Sequence, residues 1–129
     1  MTFGNHISLY VLTGLIILLL DGVFIYFIKD MFNRQIKLVQ GSDIQVDILA
    51  TILTYIVIIF SLYYFIIREK RSVMDAALLG FSMYALYELT TKSLLKQWKW
   101  TTVVIDITWG SILYALSTFI ILRLTKVSK

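Results

Sequence analysis

Four long runs of apolar residues, separated by short polar segments, dominate the pattern of the chain. The runs cover residues 7–28, 48–67, 73–91 and 103–122. A helix needs roughly 20 residues to cross the hydrocarbon core of a bilayer, and each run is close to that length. No alternation of apolar and polar positions appears, which argues against membrane-spanning strands. The sequence therefore predicts an all-α, four-helix transmembrane bundle in one integral-membrane domain, residues 1–129, with both termini on one face.

Composition supports a membrane as the surrounding solvent. Hydrophobic residues make up 59% of the 129 residues and charged residues only 16%, whereas a soluble domain carries about 25% charged residues. A chain this short cannot bury so much apolar surface in a core that faces water. Soluble enzymes and nucleic-acid-binding modules are therefore disfavoured. We expect the lipid bilayer as partner, and no nucleic acid.

The basic residues lie at the ends of the apolar runs, as in membrane flanks. With four spans, six of them fall on the face of the termini and six on the opposite face: Arg68, Lys70, Arg71, Arg123, Lys126 and Lys129 against Lys29, Arg34, Lys37, Lys92, Lys96 and Lys99. The second loop concentrates three of its cations within four residues. By the positive-inside rule this concentration favours termini on the cytoplasmic face of a multi-pass protein.

Local signals refine the ends and contacts of the helices. The segment 29–47 has apolar residues at roughly helical spacing, which predicts either a short interfacial helix ending at Gly41 or a solvated loop. Ser72 stands three residues before an acid, as a helix-capping residue does. The pairs Ala76/Gly80 and Ser111/Ala115 have the small-xxx-small spacing of close helix contacts.

Three acidic residues stand where the bilayer makes charge costly. Asp21 lies inside the first run, Glu88 near the end of the third, and Asp106 near the start of the fourth. Because the first and third helices run away from the terminal face and the fourth returns, all three acids fall in the same leaflet. An intramembrane charge costs between about 2.5 and 17 kcal/mol, so such residues face a bundle interior or a water-filled cavity. We expect one polar pocket, with these ligand- or proton-binding candidates: Asp21, Glu88, Asp106, Tyr84, Tyr87 and Trp109.

Plain structural roles stand beside this hypothesis. Glu88 could form an ion pair with Lys92 four residues later, and Asp106 could interact with the dipole at its helix start. Asp21 could form a hydrogen bond to another helix. Trp98 and Trp100 have the character of an interfacial aromatic belt.

Metal and cofactor sites have little support in the composition. The chain has no cysteine and a single histidine, His6, which excludes thiolate sites and zinc sites built on several imidazoles. We expect no metal and no cofactor. No residue is assigned as catalytic, and the question of enzymatic activity stays open at this stage.

Motifs in three of the predicted helices, and one in the segment after the third, resemble one known family. Residues 20–24 (LDGVF) resemble L-D-x-x-W, residues 84–91 (YALYELTT) resemble Y-x-x-Y-D-L-T-N, residues 95–98 (LKQW) match L-x-x-W, and residues 104–110 (VIDITWG) match V-x-D-x-x-W-G. The departures are Phe24 for tryptophan, Glu88 for aspartate and Thr91 for asparagine. The chain thus resembles the predicted four-span membrane proteins catalogued as domain of unknown function 2177, from bacteria and large DNA viruses. The resemblance implies four helices and marks the same three acids, but it implies no activity.

Three functions are compatible with these features. The first is binding or translocation of a proton or cationic solute through the acidic site, since intramembrane acids form proton relays. Four helices are few for a complete pathway through one subunit, so translocation would need a homo-oligomer. The second is an intramembrane enzyme that acts on a lipid or isoprenoid with carboxylates as acid and base. The third is a structural or assembly protein with no chemistry.

Overall fold

The computed structural model describes residues 3–126 of the chain, with side chains from 5 to 125, as four helices. These are α1 (Phe3–Gln40), α2 (Ile48–Leu62), α3 (Val73–Leu94) and α4 (Trp100–Lys126). One wider π-helical turn, Tyr63–Ile67, extends α2. No strand occurs within residues 3–126. The predicted all-α, four-helix fold is confirmed.

Helix α1 is longer than the first apolar run. It continues without a break through residues 29–40 and has 38 residues, or about 57 Å at 1.5 Å per residue. Gly41 then adopts a φ of +80°, a left-handed conformation that ends the helix. The solvated-loop alternative for residues 29–40 is therefore wrong. The helical alternative is correct in its end point, although the segment is part of α1 rather than a separate interfacial helix.

Side-chain caps define the starts of α2 and α3. The carboxylate of Asp47 accepts a hydrogen bond from the Ala50 amide at 3.0 Å. The hydroxyl of Ser72 accepts one from the Asp75 amide, also at 3.0 Å, which confirms the predicted cap. Each cap satisfies an amide that has no partner within its own helix.

The helices run alternately up and down. His6, near the start of α1, shares a 2.8 Å hydrogen bond with the Tyr63 hydroxyl at the end of α2. At the opposite end, Gln35 of α1 accepts a hydrogen bond from the Lys99 amide, next to the start of α4. Both described ends of the chain therefore lie at one end of the bundle, the terminal end. The opposite end, which carries residues 41–47 and 95–99, is the loop end.

Helices α3 and α4 form the most extensive contact of the bundle, and α4 also packs against α1. A Cβ atom on Gly80 of α3 would overlap the carbonyl oxygen of Gly110 on α4 and would lie 2.8 Å from the Cβ atom of Tyr114. Ala76 is fully buried on the same side of α3. The Ala76/Gly80 spacing therefore marks a true close contact between α3 and α4. On the α4 side, Gly110 and Tyr114 form this contact.

The outer surface of the bundle is apolar. Leu19, Phe27 and Leu49 leave about seven-tenths of their surface exposed, at 69%, 76% and 68%. Among the described residues, three helices are long and apolar enough to cross a membrane: Asn5–Gln40, Ile48–Ile67 and Trp100–Thr125. A continuous apolar exterior of this kind is suited to lipid. The crossing by α3 and the limits of each span stay predictions.

Single-cysteine labelling tests the arrangement, because the chain has no cysteine of its own. Lys37→Cys and Gln97→Cys are expected to react with an impermeant maleimide from one side of sealed vesicles, and Glu69→Cys from the other. The reason is that residues 37 and 97 lie at the loop end and residue 69 at the terminal end. Labelling of residues 37 and 97 from opposite sides would contradict the up-and-down topology. The side on which residue 69 reacts also tests the cytoplasmic location of the termini.

Candidate functional site

Asp21 connects three helices. Its side chain is buried, and both carboxylate oxygens accept hydrogen bonds from other helices. The Trp109 indole of α4 donates to Oδ1 at 2.8 Å, and the Tyr55 hydroxyl of α2 donates a short hydrogen bond to Oδ2. One turn further along α1, Phe24 stacks on the Trp109 ring with centroids 4.5 Å apart. The interhelical hydrogen bond considered from sequence is therefore present, twice.

Tyr55 is a site residue that the sequence analysis missed. It lies seven residues after Ile48, where the second run begins, and Asp21 lies seven residues before Ile28, where the first run ends. Since the two helices are antiparallel, equal distances from the loop-side ends of their apolar runs place these residues at one depth of the bilayer. That count is a signal in the sequence, although it does not tell which helix face Tyr55 occupies.

Glu88 is fully buried at the loop end of α3. Its Oε1 atom accepts a 2.8 Å hydrogen bond from the Trp98 indole, while Oε2 is buried without a hydrogen-bond donor among the described residues. The predicted ion pair with Lys92 is not formed, since the Lys92 ammonium lies over the Trp100 ring at 5.6 Å. The assignment of Trp98 to an interfacial belt is also wrong, because Trp98 is 3% exposed. Trp100 is 61% exposed, as expected for a residue of an interfacial aromatic belt.

Asp106 completes a pair of carboxyl groups. Its side chain lies beside that of Glu88, so the two carboxyl groups are neighbours. Helix α4 begins at Trp100, so Asp106 lies beyond its first turn. The helix dipole acts mainly on charges within that first turn. The helix-start interpretation of Asp106 is therefore wrong.

A groove of about 460 Å³ brings Asp21 and Asp106 to a common space. One stripe of α1 and one stripe of α2 form its sides, with residues spaced three or four apart as on a single helix face. Tyr84 of α3 lines it as well. The groove extends from Ile44 and Val46 at the loop end to the two acids. Its walls are Asp21, Phe24, Ile25, Ile28, Lys29 and Phe32 of α1, and Thr51, Thr54, Tyr55 and Ile58 of α2.

A second cavity of about 540 Å³ opens between α2 and α3. Its lining is mainly apolar and includes Leu53, Val57 and Met83, together with Tyr87. It shares four residues with the first groove: Thr54, Ile58, Tyr84 and Asp106. Asp106 and Tyr84 therefore lie where the two spaces meet.

Toward the terminal end, packed side chains fill the bundle interior. Ile17, Leu62 and Tyr114 are fully buried members of this core. The hydroxyls of Ser61 and Tyr114 share a 2.6 Å hydrogen bond within it. Both cavities thus approach the acids from the loop end or from the side of the bundle, and a packed core lies beyond.

The six predicted site residues occupy different positions around this space. Asp21, Asp106 and Tyr84 line the groove, and Tyr87 lines the second cavity. Glu88 lies beside Asp106 and lines neither cavity. Trp109 acts as a hydrogen-bond donor to Asp21. Within residues 3–126, no group of three or more histidine, cysteine or acidic side chains is placed to hold a metal ion.

Comparison with known proteins gives one match. The family model described as "Predicted membrane protein (DUF2177)" matches residues 6–122, nearly the whole chain. No curated protein matches, and no solved structure matches.

Proposed function

The chain belongs to the DUF2177 family of predicted membrane proteins, and because that description carries no activity, we propose a function from the site itself: binding of a proton or a small cationic solute. One observation carries this proposal. In the described part of the chain, the ion pairs join surface residues, Lys37 to Asp43, Arg68 to Glu69 and Arg71 to Asp75. None of them involves Asp21, Glu88 or Asp106.

Three carboxyl groups without a cationic partner require another source of neutralisation. An unpaired charge removed from water is costly, and the cost is greatest in the bilayer interior. Both carboxyl oxygens of Asp21 already accept hydrogen bonds, from Trp109 and Tyr55. Repulsion between the neighbouring carboxyl groups of Glu88 and Asp106 favours a proton on one of the two. Lys29 lines the same groove but forms no ion pair with these acids, so the site keeps negative charge that a further proton or a bound cation offsets.

The groove gives this ligand a route and an end point. A cation entering between α1 and α2 at the loop end would reach Asp106, which is only partly buried, and then the outer side of Asp21. Because packed residues fill the interior beyond the acids, one chain supports binding rather than a complete pathway. Translocation would require additional copies of the chain, and a homo-oligomer is the form we propose for it.

Labelling by a carbodiimide tests the proposal directly. Dicyclohexylcarbodiimide is apolar and reacts with protonated carboxyl groups, and each adduct raises the mass of the chain. We expect the adduct on one of the three buried acids, located by mass spectrometry of the purified protein. Sodium, potassium or tetramethylammonium chloride at millimolar concentration should slow the reaction severalfold. The cause is that a bound cation replaces the proton the reagent needs.

Surface acids provide the matched control. Asp43 and Asp75 have side chains that are 71% and 42% exposed, so a water-soluble carbodiimide should label them at a rate that these cations do not change. Labelling confined to the surface acids with the apolar reagent would overturn the proposal. Modification of the buried acids at a rate indifferent to every cation would overturn the cationic solute as ligand and assign the site to the proton.

A second candidate, an intramembrane enzyme acting on a lipid or isoprenoid, is favoured by the cavity between α2 and α3. Its apolar walls could take an acyl or isoprenyl chain, with Asp106 at the inner end as acid or base. Comparison of lipid extracts from cells that produce the native chain or Asp106→Asn separates the two functions. A lipid altered only by the native chain would favour the enzyme, whereas unchanged extracts together with cation protection would favour binding.

A further inference from the structure

A separate cavity of about 610 Å³ lies at the loop end, between the last turns of α1 and the start of α4. It does not share residues with the acidic site. Three of its lining residues are basic, and they come from segments more than 60 positions apart in the chain. The lining consists of Met31, Arg34, Gln35, Lys37, Leu38, Lys99, Thr101 and Thr102. We call this space the basic cavity.

A buried amide fixes the two walls of the basic cavity against each other. Gln35 is 2% exposed, and its Oε1 atom accepts hydrogen bonds from the Lys99 amide at 2.9 Å and the Thr102 hydroxyl at 2.7 Å. Its Nε2 atom donates to the Gln97 carbonyl at 3.0 Å. The hydrogen-bonding capacity of the amide oxygen is thus used for holding α1 to the start of α4. The positions of Arg34 and Lys99 follow from this connection.

Positive charge in the basic cavity is poorly balanced by the protein. Within the described residues, neither Arg34 nor Lys99 has an acidic group within ion-pair distance. Lys37 approaches Asp43 at 3.9 Å, but both side chains are more than half exposed, and an exposed pair of this length contributes little. Like charges around one space repel each other. An anion in the cavity would offset that repulsion.

The surroundings specify the kind of anion. The hydroxyl-bearing residues Thr101 and Thr102 stand beside the cations, while Met31 and Leu38 give the cavity an apolar side. Trp100, adjacent to Lys99, is exposed at the position typical of a membrane–water interface. We propose that the basic cavity binds the phosphate group of an anionic phospholipid. Arginine and lysine supply the charge-assisted hydrogen bonds, and the apolar side meets the start of the acyl chains.

Native mass spectrometry of the detergent-purified full chain tests the assignment. The probes are dioleoyl phosphatidylglycerol, dioleoyl phosphatidylcholine and inorganic phosphate. We expect phosphatidylglycerol to bind more tightly than phosphatidylcholine. Each of Arg34→Gln and Lys99→Gln should weaken that binding about fivefold, the effect of one cation near an anionic surface. Arg34→Lys should retain most of the affinity because it retains the charge.

Lys96→Gln is the matched control, since Lys96 is an exposed basic residue of the same loop that does not line the basic cavity. It should leave phosphatidylglycerol binding within about twofold of the native chain, because a cation outside the cavity contributes only diffuse, screened attraction. Equal losses in Lys96→Gln and Lys99→Gln would overturn the proposal, as would equal affinity for the two lipids. Full displacement of phosphatidylglycerol by millimolar inorganic phosphate would overturn the lipid as ligand and assign the cavity to a soluble phosphate.

Discussion

Replacing Asp21 with asparagine is expected to weaken cation binding by at least about thirtyfold, the cost of removing one partner from a buried charge pair. The asparagine side chain has the same shape as aspartate. Its amide oxygen can accept the Trp109 hydrogen bond, and its amide nitrogen can donate to the Tyr55 hydroxyl oxygen. The substitution therefore removes the charge and keeps the contacts of three helices. Binding should fall while the thermal midpoint in detergent stays near that of the native chain.

Asp75→Asn is the control for this experiment, because Asp75 is an exposed acid at the terminal end of α3. It should leave the cation dependence of carbodiimide labelling unchanged. The opposite pattern would assign Asp21 to structure alone. In that pattern Asp21→Asn lowers the thermal midpoint, and cation binding falls only in proportion to the folded fraction.

Gly80→Ala should destabilise the bundle by about 1–3 kcal/mol, the usual range for an atom forced into a well-packed contact. The added methyl group would overlap the Gly110 carbonyl oxygen. A backbone atom cannot rotate away as a flexible side chain can, so α3 and α4 must move apart. Tyr84, which lies against Gly110, moves with them. The measurement is denaturant or thermal unfolding of the purified protein in one detergent.

Gly22→Ala provides the comparison in the same protein. A Cβ atom at Gly22 would meet no atom within 4 Å, and alanine is the better helix former by about 1 kcal/mol. That variant should be as stable as the native chain or slightly more stable. Equal destabilisation by both variants would contradict the close contact between α3 and α4.

The helices were predictable because the physical signal for each is local. Four apolar runs of spanning length give four helices, and Gly41 and Ser72 mark a helix end and a helix start. The continuity of α1 was less evident, since residues 29–40 are amphipathic rather than apolar. The absence of proline and glycine between Ile28 and Gly41 is the signal that favours one unbroken helix.

The depth of the acids was predictable from the sequence, but their neighbours were not. Depth follows from counting residues along a helix, whereas the facing side of each helix depends on packing between distant segments. The sequence therefore allowed an ion pair between Glu88 and Lys92, four residues away, whereas the partner of Glu88 is Trp98 in the following loop. Gln35 gave no signal at all, because an amide in an amphipathic segment has the same sequence pattern whether it is exposed or buried.

Because α1 is unbroken, residues far apart along it move together as one rigid helix. Asp21 and Arg34 lie on one continuous helix, thirteen residues or about 20 Å apart along its axis, and no proline introduces a kink between them. The apolar run of α1, residues 7–28, is about 33 Å long, and a hydrophobic stretch longer than the local hydrocarbon thickness is accommodated by tilting. Any such tilt moves both residues together, so a thinner or thicker bilayer would change the width of the acidic groove and of the basic cavity in one motion.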